Sequence, residues 1–306
     1  MTVGVPGWLA DGAAKLMQRG PGSARTAEEI AFAEIPAATA DVTIPTRHGE
    51  VAATVYAPPG GSAGRGVHVN LHGGGFVLRH PEQDDPICRY LAAHAGVTVI
   101  NVDYTPAPQL RAPGAVEQAL DVTRWAAAPE RPWDGSRPTV GGASAGGALA
   151  AGVARLAWEE GAPPIALQVL LYPPLDLTVP ARTKFGPGRE RYLVPLGPFF
   201  DKAYAPDPHR RGDRLVSPAG PQDTVPLGGI APALVITCEK DILRAEGIRY
   251  AERLDAAGAL REHVDVPGVG HGFNILGSPR ALIVDVYDRI AAHLRAAGTP
   301  DDDTAR

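Results

Sequence analysis

The sequence predicts an α/β fold, a mostly parallel central sheet flanked by helices, on three observations. From residue 51 onward, short apolar β-like runs alternate with helix-like segments, the rhythm of strands joined by helical crossovers. One strand-to-helix junction carries Gly142-Ala143-Ser144-Ala145-Gly146, a G-x-S-x-G match. Another strand-like run ends in His72-Gly73-Gly74-Gly75-Phe76.

A helical arm opens the chain and a hairpin-like pair follows. Strands are expected at Val51–Tyr56, Val67–Leu71, Val97–Val102, Thr139–Gly142 and Ile165–Leu171, with later ones at Leu234–Cys238 and His263–Val266. Helices are expected at about Pro86–Ala95, Gly114–Ala127, Ala145–Glu160, Ile242–Ala257 and Arg280–Ala297. From Leu177 to Gly220 the rhythm breaks into a segment rich in proline, arginine and aromatics without a clear strand, too long for an ordinary connection. The division expected is an N-terminal arm over residues 1–45, a catalytic domain over 46–297 with an insertion at about 177–220, and a disordered acidic tail over 298–306.

Ser144 falls at the sharp turn between the run ending at Val140 and the Ala-rich helix, a setting in which a serine becomes a nucleophile. Such a turn strains its central residue and brings neighbouring chain close, so Gly142, Ala145, Gly146 and Gly147 flank it with little or no side chain. In a chain with 36 glycines the pentapeptide alone is a weak signal. The His72–Phe76 loop strengthens it, because consecutive glycines leave backbone N–H groups unshielded before a developing oxyanion.

A serine hydroxyl needs a base, and a histidine suits that task near neutral pH. Of nine histidines, His68 and His263 sit in strand-like runs and His293 in the last helix, while His48, His80, His94 and His209 lack a strand-end setting near the C-terminus. His271 sits among glycines in the loop after the strand-like His263–Val266, and it follows the serine in the order Ser, acid, His. The acid is expected between them: Asp241 stands three residues beyond Leu234–Cys238, with Glu239, Glu246 and Asp265 as rivals and helix capping as its alternative role.

His72-Gly73-Gly74-Gly75-Phe76, Asp103-Tyr104 with Ala107-Pro108 and Pro113, Ser144-Ala145-Gly146-Gly147, Tyr172-Pro173, Ser217-Pro218, Asp241 through Gly247 and His271-Gly272-Phe273 occur in one order over about residues 65–290. In these landmarks the chain resembles the hormone-sensitive-lipase family of carboxylesterases. The resemblance implies an α/β-hydrolase fold, a Ser144–Asp241–His271 triad, and an oxyanion hole from the N–H groups of Gly74, Gly75 and Ala145, and it places Asp241 ahead of its rivals. It further implies that arm and insertion form a helical cap, that small acyl groups are preferred, and that a homodimer is an assembly open to the chain. Two departures concern hydrogen bonding around the catalytic groups: Ala143 stands where the family usually has an acid or threonine, and Gln109 where it usually has a glutamate.

The net charge of −5, without a long basic run, argues against nucleic acid as a partner. Cys88 and Cys238 read as small buried hydrophobes, so no disulfide framework is expected. No apolar run is long enough for a membrane span and no signal peptide is legible, which suggests a cytoplasmic protein. No metal or other cofactor is expected, since no Cys/His cluster has ligand spacing.

Apolar residues of the insertion (Phe185, Tyr192, Leu193, Phe199, Phe200, Tyr204) and of the arm (Trp8, Leu9, Leu16, Met17, Phe32) are expected mostly to seal the cap. Phe76, Phe199, Phe200 and Tyr204 are the expected pocket walls. The function expected is hydrolysis of a small-molecule ester, with short acyl chains, through an acyl-enzyme on Ser144. The same triad could cleave amides, carbamates or lactones. A non-catalytic small-molecule receptor is the alternative of another class; receptors resembling this family lack the catalytic histidine, whereas His271 is present.

Overall fold

A computed structural model describes residues 6–19, 28–184 and 196–298. Phe185, Tyr192, Leu193 and residues 299–306 of the expected tail lie outside the described residues. After α1 (Gly7–Met17) come β1 (Ala38–Thr46) and β2 (Gly49–Ala57). Strand and helix then alternate through β3 (Gly66–Leu71), α2 (Asp85–Ala95), β4 (Thr98–Asp103), α3 (Gly114–Ala126), β5 (Asp134–Ala143), α4 (Ala145–Glu160) and β6 (Leu167–Leu171). α5 (Gly197–Tyr204) lies in the insertion, followed by β7 (Ala233–Cys238), α6 (Arg244–Ala256), β8 (Leu260–Val266), the short α7 (Phe273–Leu276) and α8 (Arg280–Gly298). Among the described residues, no helix is long and apolar enough to cross a membrane.

The strands form one sheet in the order β1-β2-β4-β3-β5-β6-β7-β8. β2 runs antiparallel to both β1 and β4, and every pairing from β4 to β8 is parallel. Helices cover both faces of the parallel part, α3, α4 and α6 on one and α2 and α8 on the other. Strands covered on both faces read as nearly continuous apolar runs, and β6 and β7 are buried along their whole length. β1 is different: as an edge strand it is mostly exposed and contains Pro45, so it carries no strong strand signal. It belongs to the sheet although residues 1–45 were expected to serve the cap. β5 likewise starts at Asp134, five residues before its apolar part, across an irregularity in its pairing with β3.

Because β3, β5, β7 and β8 are parallel, their C-terminal ends open on one side of the sheet, where loops distant in the chain meet. α4 begins at this end of the sheet, just after β5, and thirteen of its sixteen residues are buried. Its small residues permit that approach: a Cβ at Gly146 would collide with the backbone carbonyl oxygen of Leu71 at the end of β3. Gly146→Ala should therefore lower stability by about 1–3 kcal/mol or more, because backbone cannot yield as a side-chain tip can. Gly12→Ala, with open space at its Cβ on exposed α1, should raise stability by up to about 1 kcal/mol. Urea midpoints would check the pair, and a neutral Gly146→Ala would contradict the packing argument.

Candidate active site

β5 ends in a turn whose central residue, Ser144, has φ 54° and ψ −121°, outside the comfortable range of a non-glycine residue. Strain of this kind costs roughly 1–3 kcal/mol and persists only where surroundings impose it. Here the Ser144 N–H donates to Leu171 O at 2.9 Å and the Ser144 carbonyl accepts from Ala148 N–H at 3.1 Å, so both sides of the turn are fixed. The Ser144 hydroxyl lies 2.8 Å from His271 Nε2, although the two residues are 127 apart in the chain. His271 Nδ1 lies 2.8 Å from Asp241 Oδ2. Since an ionised carboxylate only accepts, Nδ1 carries the proton and Nε2 presents its lone pair to the serine. The other Asp241 oxygen accepts from Leu243 N–H at 2.9 Å, so this buried carboxylate caps its own turn and meets the imidazole at once.

The rival acids are engaged elsewhere. Glu239 accepts from Gly268 N–H, Asp265 is held by Thr237 and Arg244, and Glu246 binds Leu175 N–H and the Lys184 ammonium. The Tyr172 ring meets the His271 ring edge-on, centroids 4.9 Å apart, and its hydroxyl donates to Asn274, whose amide donates to the Tyr287 hydroxyl. That chain ties β6 to the segment just after His271.

Gly74 and Gly75 have φ of 131° and 59°, a geometry that favours glycine, and a Cβ at Gly75 would come within 2.5 Å of the Phe200 ring. Among the described residues, the N–H groups of Gly74, Gly75 and Ala145 find no acceptor, and Ala145 begins α4, where an N–H has no partner in its own helix. Gly73 packs beside Ala143 O and Ser144 Cβ. His72 turns away and is buried: its ring stacks on Tyr104 at 4.3 Å, its carbonyl accepts from the Tyr104 hydroxyl, and burial pulls its pKa down to about 4.

A cavity of about 360 Å³ opens above Ser144 and His271, within the range of small-molecule sites. Phe76 and Phe200 line it, with Leu177, Leu196 and Leu276 extending the apolar wall. Tyr204 and Phe199 do not. Tyr204 lies one turn beyond Phe200 and stacks behind Phe76, centroids 4.0 Å apart, while Phe199 falls on another face of α5. Among the described residues no group of three or more His, Cys, Asp or Glu side chains is arranged to hold a metal ion.

A model of the α/β hydrolase fold matches residues 68–275. The chain is 35% identical over 267 residues to the carboxylic ester hydrolase LipN of Mycobacterium tuberculosis, covering 83% of this chain and 70% of that protein. It is 36% identical over 261 residues to the ethyl acetate hydrolase of Pseudomonas putida, covering 80% and 79%. The chain belongs to the hormone-sensitive-lipase family. A solved structure, the thermophilic carboxylesterase EstE1 cloned from a metagenomic library, superposes with a TM-score of 0.78 at 34% identity, covering 95% of this chain and 96% of that one.

The two departures from the family pattern have local structural settings. The Gln109 amide donates to Gln18 Oε1 at 2.7 Å, and Gln18 Nε2 donates to Val77 O at 2.8 Å and to Ala107 O at 3.0 Å. A neutral amide pair thus fastens the end of α1 to the backbone just beyond the glycine loop. Ala143 leaves its position apolar on the cavity wall beside Gln83. Gln18 carried no motif, and its role depends on a contact across 91 residues that no local pattern announces.

Beside Gln83, Asp84 is buried and accepts from Asn70 Nδ2 at 2.9 Å, and burial pushes its carboxyl up to about 7. The native state therefore binds a proton that the unfolded chain, with a carboxyl near about 3.9, releases. Stability from this group is present below pH 4 and is lost as pH rises through 7. Asp84→Asn should gain on the wild type between pH 4 and pH 8, measured by urea denaturation. A difference independent of pH would contradict the burial argument.

Proposed function

We propose that this chain is a serine carboxylesterase that hydrolyses small acyl esters through an acyl-enzyme on Ser144. The observation that carries the reading is the Ser144 hydroxyl held 2.8 Å from His271 Nε2 in a cavity also lined by Gly74 and Gly75, whose N–H groups, like that of Ala145, find no acceptor among the described residues. Ser144 Oγ attacks the ester carbonyl as its proton passes to His271 Nε2. Asp241 stabilises the imidazolium and holds its tautomer. The oxyanion enters the hydrogen bonds of Gly74, Gly75 and Ala145, donors that need no reorganisation as charge develops, with the Ala145 N–H also at the positive end of α4. His271 then protonates the departing alcohol, and water repeats the sequence to release the acid.

The size and lining of the cavity support a small, largely apolar substrate, as does the resemblance to an ethyl acetate hydrolase. α1 packs on α5, and α5 lines the cavity through Phe200, which supports the two helices acting as a cap. Tyr204 and Phe199 then seal this cap while Phe76 and Phe200 touch substrate.

Ser144→Ala should keep the fold and lower p-nitrophenyl butyrate hydrolysis by on the order of 10⁴-fold or more. Normal turnover by that variant would refute the nucleophile. In a chain-length series of p-nitrophenyl esters the butyrate should exceed the laurate in kcat/KM, and the reverse order would refute the short-chain preference.

A further inference from the structure

The cavity wall contains one carboxylate that no described group of the protein answers. Gly197, Phe200 and Asp201 line the cavity, and Tyr204, one turn on, contacts Phe76, so these four positions form the inward stripe of α5. Asp201 is only 9% exposed. Among the described residues its carboxylate has no hydrogen bond and no ion pair, and its oxygens are not among the unpartnered atoms sealed in packing, so they keep contact with open space.

Two cations reach Asp201 by their field, and both donate elsewhere. Lys184 Nζ lies 2.6 Å from Glu246 Oε2 and donates to Asp176 O at 2.8 Å. Arg211 Nε donates to Ala205 O at 3.0 Å. Burial pushes the Asp201 carboxyl up to about 6, which still leaves it mostly ionised at neutral pH. A carboxylate held this deep without a donor costs folding free energy, whereas an apolar residue would match its surroundings. Such isolated polar groups in apolar cavities fix orientation and specificity.

We propose that Asp201 selects esters that carry a hydrogen-bond donor, a hydroxyl or a protonated amine, away from the scissile carbonyl. This rests on the esterase reading of the same cavity. With that donor in place the Asp201 oxygens gain a charge-assisted hydrogen bond, and an ester without one leaves the carboxylate unanswered.

The test compares kcat/KM within two series, so that either side of the ester can carry the donor. On the alcohol side the substrates are pentyl, 4-hydroxybutyl and 4-(dimethylamino)butyl acetate; on the acyl side, ethyl heptanoate, ethyl 6-hydroxyhexanoate and ethyl 6-(dimethylamino)hexanoate. Asp201→Leu should lower the donor-to-apolar ratio by about tenfold or more in at least one series. Unchanged ratios in both would overturn the proposal. The hydroxyl and amine arms separate a neutral from a cationic donor.

If Asp201→Leu does not fold, the isosteric Asp201→Asn decides through the amine arm, where loss of charge should cut the ratio about tenfold and an unchanged ratio counts against Asp201. If the wild type turns over no ester, the esterase reading fails by itself. Calorimetric binding of pentylammonium then decides Asp201, with affinity about tenfold weaker in the variant supporting the proposal and equal affinity overturning it.

Discussion

Gly146 brings the first turn of α4 so close to the end of β3 that a single methyl group would overlap the Leu71 carbonyl. That approach leaves the chain between β5 and α4 little length in which to turn, and Ser144 is the residue that absorbs the turn, at φ 54°. The hydroxyl consequently projects from the sheet toward His271 rather than into the helix packing. A less crowded junction would let Ser144 relax and would break the alignment. The strain is held by hydrogen bonds on both sides of the turn and by dense packing around α4.

The same crowding gathers the remaining parts. The glycine loop after β3 lies against the elbow, with Gly73 beside Ser144 Cβ, and Gly74 and Gly75 line the same cavity as Ser144. Phe76, itself at φ 65°, is fixed by its carbonyl bond to Ala107 N–H and by Tyr204 stacked behind it. Gln18 adds a tether from α1. Loop, elbow and the α1–α5 pair thus share contacts, so shape changes in those helices reach the backbone that would hold an oxyanion.

The parallel half of the sheet was legible because strands buried on both faces leave unbroken apolar runs, as Leu234–Cys238 does. β1 was faint, since an exposed edge strand has no such run. Ser144 and His271 stood out because the glycines that let a loop adopt unusual angles also mark it in sequence. Asp241 could not be separated from Glu239, Glu246 and Asp265 by position alone. The distinction lies in tertiary contacts, which give each rival another partner. The inward and outward faces of α5 were illegible for the same reason: Phe199, Phe200 and Tyr204 are alike in composition and differ only in where a short helix points them. Asp201 drew no notice as one acidic residue among 34.

The most direct measurement is a crystal structure of the protein after reaction with diethyl p-nitrophenyl phosphate, whose phosphoryl oxygen stands in for the oxyanion. The adduct should sit on Ser144 Oγ, with that oxygen about 2.7–3.1 Å from the amide nitrogens of Gly74, Gly75 and Ala145. A phosphoryl group bound to another residue, or one on Ser144 whose oxygen turns away from those three amides, would contradict the account.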